Sequence, residues 1–146
     1  REKRGLRYTI FAQAGAYADT GLTTLYAGTS AGQVAELAEL TIDEFKRCAG
    51  DMTEEEVARA RAQMKAGMLM GLESPSNRAE RLARLVAIWG RVPELEETIA
   101  LIDDVSTQKV RDFAQKSASD GRLAMALYGP VDAAPDLDAL RERLAA

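Results

Sequence analysis

LRYTIFAQA (residues 6–14), GAYADTG (15–21) and LTTLYAGT (22–29), followed by a change of period from residue 34, decide the fold class of this chain. In the first stretch Tyr8, Ile10 and Ala12 alternate with Arg7, Thr9, Phe11 and Gln13, the period-two pattern of a strand. The second stretch is rich in turn formers, and the third resumes the strand pattern. Together they predict an antiparallel hairpin with a long or bulged connection. From Val34 the apolar residues recur every three or four positions: Val34, Leu37, Ala38, Ile42, Phe45 and Cys48. That spacing predicts an amphipathic helix of about four turns, which Gly50 ends.

Working outward, Thr53 and Glu56 form a T-x-x-E capping box, and Glu54 and Glu55 suit the positive start of a helix carrying Val57, Ala60, Met64, Met68 and Leu72. Ser74-Pro75 stops that helix and starts the next, because Ser can cap while Pro occupies the first helical position. Leu82, Leu85, Val86 and Trp89 then line one face until Gly90. Pro93 opens a helix with Leu95, Ile99 and Ile102, and Ser106 starts another with Val110 and Phe113. The run RLAMALYG (122–129) is short, apolar and bounded by glycines, which predicts a buried strand. Asp136 caps a last helix with Leu137, Leu140 and Leu144.

The expected order is therefore β-β-α-α-α-α-α-β-α, an α/β chain of the α+β type with an antiparallel or mixed sheet and several packed helices. Residues 1–146 read as a single domain, with no linker or internal repeat. Three strands are thin cover for so many helices. The chain also opens on Arg1 inside a charged, helix-like run. Both features lead us to expect the C-terminal part of a larger protein, whose preceding part supplies more strands.

Composition narrows the function classes. Hydrophobic residues make up 47% of the chain and aromatics only 5%, a balance that favours packed helices over an all-β sandwich. Nineteen basic and 23 acidic residues leave a net charge of −4, spread so evenly that a grip on nucleic acid or anionic lipid is not expected. No apolar run approaches a membrane span, and the first residues carry no signal-peptide core. Localisation is open between cytoplasm and periplasm, with composition leaning to the cytoplasm. The lone Cys48 excludes an internal disulfide and, on a helix's apolar stripe, reads as a small buried hydrophobe. The sequence has no histidine, so imidazole acid–base catalysis and the usual zinc ligand sets have no place in it.

REKRGLRY (1–8) is the stretch with a chemical reading. A basic turn of helix ends at Gly5 and feeds a strand, with Arg1 and Tyr8 seven residues apart across the corner. One reading is a solvated charge run whose Tyr8 packs on the sheet. The other points Arg1 and Tyr8 into one cavity, where a guanidinium and a phenol donate hydrogen bonds to a peptide carbonyl or a developing oxyanion. Neither group activates water at neutral pH, so such a site assists and does not catalyse. Elsewhere structural readings suffice. Met64 and Met68 fall on a helix's core face, Glu54–Glu56 fit a helix N-terminus, and GTSAG (28–32) lacks the lysine of a phosphate loop.

REKRGLRY, AYADTG, LYAGTS, MTEEEVARARAQMKAGMLMGLESPSNRAERLAR and ALYGP resemble, in that order, the C-terminal half of the zinc metallopeptidases that include mitochondrial processing peptidase, pitrilysin and insulysin. The match is nearest to the small bacterial processing-peptidase-like members and runs from Arg1 to about Pro130. The resemblance implies an inverted zinc motif, H-x-x-E-H, in a separate N-terminal domain. None of that motif is in this sequence. It also implies that the C-terminal domain faces the zinc across a chamber, and that an Arg–Tyr pair on that side contacts the substrate near the scissile bond. Arg1 and Tyr8 match the pair in position and spacing, whereas Arg7 stands where many bacterial relatives have a small residue.

The resulting expectation is the non-metal-binding part of a zinc endopeptidase, inactive alone. Zinc is held by the N-terminal domain of the same chain, Arg1 and Tyr8 bind the peptide substrate, and the assembly is a homo- or heterodimer. The alternative is a zinc-less partner or scaffold subunit of a heterodimeric peptidase. A third reading is an α/β binding module unrelated to proteolysis.

Overall fold

The computed structural model describes residues 9–120 and 122–145. Strand β1 (Thr9–Ala16) and strand β2 (Gly21–Gly28) pair antiparallel in an unbroken one-to-one register from Thr9↔Gly28 to Ala16↔Gly21. The connection is shorter than expected and carries no bulge. It is closed by the Tyr17 amide donating to the Thr20 carbonyl at 2.9 Å. A short 3₁₀ turn (Ala31–Gln33) leads into six helices: α1 (Val34–Gly50), α2 (Glu54–Gly71), α3 (Pro75–Trp89), α4 (Leu95–Asp103), α5 (Thr107–Ser119) and α6 (Leu137–Ala145). The α+β class expected from the sequence is the observed one.

The chain divides into two compact units, Arg47–Lys116 and the remainder on either side of it. In the outer unit Ile42, Leu140 and Leu144 are buried together, with Ala38, Phe45, Ala118, Leu123 and Met125 packed on them. The Arg143 guanidinium clamps the Asp43 carboxylate with two bonds of 2.7 Å, and the Lys46 ammonium donates to the Arg143 carbonyl at 2.9 Å. Apolar burial thus joins α1 to α6, and the charged pair fixes their register.

The expected third strand is absent. Residues 122–128 carry no strand, because a strand needs a ladder partner and β1 and β2 pair only with each other among the described residues. Its apolar alternation survives. Leu123 and Met125 are half-buried, while Arg122, Ala124 and Ala126 are exposed, and Arg141 of α6 donates to the Leu123 carbonyl at 3.0 Å.

In the unit Arg47–Lys116 the punctuation read from sequence holds. The Thr53 hydroxyl accepts from the Glu56 amide at 3.2 Å, and the Glu56 carboxylate accepts from the Thr53 amide at 3.0 Å. Ser74 caps α3 with Pro75 in its first turn, and Gly90 ends it at φ +67°. Helix α4 begins at Leu95, with Glu94 as its cap, two residues later than Pro93 suggests.

Met64 departs from expectation: it is 61% exposed, not core. The inward stripe of α2 runs through Val57, Arg61, Lys65, Met68 and Leu72. Arg61 donates to the Val105 carbonyl at 3.0 Å and Lys65 pairs with Asp103. Two basic side chains thus lay their stems inward and deliver their heads to the carbonyl-rich end of α4, a placement favoured by the helix dipole. A hydropathy pattern cannot see that choice. Cys48 is half-buried.

Candidate functional site

Arg1 and Tyr8 lie outside the described residues, so the site they were expected to form is not part of the observed geometry. The described chain takes up directly after them, at β1. Because side chains alternate along a strand, Phe11 and Gln13 share a face with Tyr26 and Thr24 of β2, while Ile10 and Ala12 share the opposite face with Leu25 and Ala27. Phe11 and Tyr26 stand directly opposite and stack at 4.9 Å between ring centroids, 19° from parallel. Such cross-strand aromatic pairs pin register. Large apolar side chains on both faces are exposed, among them Ile10, Phe11, Leu25 and Tyr26.

The titratable groups are arranged for structure. No polar or charged side chain among the described residues is buried. Arg47 reaches Glu56 with bonds of 2.9 and 3.3 Å, and together with the Thr53 amide it holds the Glu56 carboxyl at about 2, well below its usual 4.5. Glu54 is lowered by the Thr107 hydroxyl and Arg61, Asp43 by Arg143, and Glu97 by Arg91. A general acid or base needs a pKa near the working pH. All four of these carboxylates are pulled the other way.

The described residues assemble no zinc-ligand set. The sequence has no histidine, and among the described residues no three of Cys, Asp and Glu come together as a metal-ligating group. Among them, too, no helix is long and apolar enough to cross a membrane.

Residues 1–64 match the family described as "Peptidase M16 inactive domain". Over 125 residues the chain is 36% identical to the mitochondrial-processing peptidase subunit beta of Mus musculus, covering 84% of this chain and 25% of that protein. Over 131 residues it is 31% identical to an uncharacterized zinc protease of Mycobacterium tuberculosis, covering 89% of this chain and 30% of that one. The chain belongs to the M16 peptidase family. It spans about a quarter to a third of the length of these M16 relatives. A chain in the structure of "Complex III2 from Candida albicans, Inz-5 bound" shares the fold with a TM-score of 0.89 at 21% identity, over 98% of this chain and 34% of that chain.

One surface of this M16 chain escaped the sequence reading. The apolar line Leu82, Val86 and Trp89 of α3 is exposed, not packed.

Proposed function

We propose that this chain is the non-metal-binding, C-terminal part of a zinc-dependent endopeptidase and helps bind the peptide substrate opposite the zinc site. The observation that carries the reading is the 36% identity, over 84% of the chain, to a protein named as a processing-peptidase subunit. The absence of histidine and the paired, strongly acidic carboxylates agree with a role that leaves the hydrolytic chemistry to another domain. In this reading the Arg1 guanidinium and the Tyr8 phenol donate hydrogen bonds to the substrate backbone. Those bonds strengthen as negative charge develops on the carbonyl oxygen. The domain holding zinc belongs to the same longer chain, and peptide is the substrate.

The test uses the longer protein that carries this segment. Arg1→Ala and Tyr8→Phe are each expected to lower kcat/KM by about 10- to 100-fold, roughly 1.4–2.7 kcal/mol of transition-state stabilisation, with zinc content unchanged. Cleavage at the parental rate by both variants would falsify the assignment of these residues. Metal analysis of the same protein separates the two family readings. About one zinc per chain is expected for a peptidase, and a zinc-free chain that supports cleavage only beside a second subunit is a partner.

A further inference from the structure

We draw no further inference here: the strongest candidate, the exposed apolar face of the β1–β2 hairpin around the stacked Phe11 and Tyr26 rings, carries none because nothing in the structure shows what covers it.

Discussion

Glu56 ties two local structures together through one carboxylate. It accepts from the Thr53 amide within the capping box and from the Arg47 guanidinium at the end of the preceding helix. Its carboxyl lies at about 2 in the folded chain against 4.5 ordinarily, so the folded state binds this proton more weakly than the unfolded one. The stability Glu56 contributes is therefore complete above pH 4.5 and is lost as pH falls from there towards 2. Glu56→Gln should flatten this part of the stability–pH curve, as read by urea unfolding at a series of pH values. Thr53→Ala removes the other half of the box and should lower stability by about 1 kcal/mol at neutral pH in the same assay. The capping box was legible in four letters of sequence, because every atom involved is within one helical turn. Arg47 as its third partner was not legible, since only the folded turn between α1 and α2 brings it there.

Among the elements, helix boundaries were the most readable. Thr53, Ser74, Gly90 and Asp136 all mark the ends they were expected to mark, because capping chemistry is local. Gly90 is the sharpest case. At φ +67° it occupies a left-handed conformation that a Cβ disfavours, so Gly90→Ala should cost about 1 kcal/mol, measurable as a lowered midpoint of thermal unfolding. Which face an element buries was less readable. Met64 faces solvent because Arg61 and Lys65 take the inward positions of α2, and the strand expected at residues 122–128 has its alternation but no described partner. Both outcomes depend on a neighbour distant in sequence, which periodicity along one segment cannot name. The candidate pair Arg1 and Tyr8 rests on sequence resemblance alone.

For the whole molecule, membership of the M16 family was carried by five short strings in a fixed order, spread over most of the chain. The outer unit's core is small: Ile42, Leu140 and Leu144 are its buried members. Leu140→Ala should therefore destabilise that unit by about 2–5 kcal/mol, visible as loss of amide-exchange protection in α1 and α6. The bond from Arg143 to Asp43 spans 100 positions of sequence, as does the packing of Leu144 on Ile42 within one or two. During synthesis, then, the N-terminal partner in this core leaves the ribosome about a hundred residues ahead of its complement. At a translation rate of roughly 5–20 residues per second it waits for about 5–20 seconds. Through that interval α1 has its apolar stripe uncovered, and this is when a nascent-chain chaperone has the most to protect.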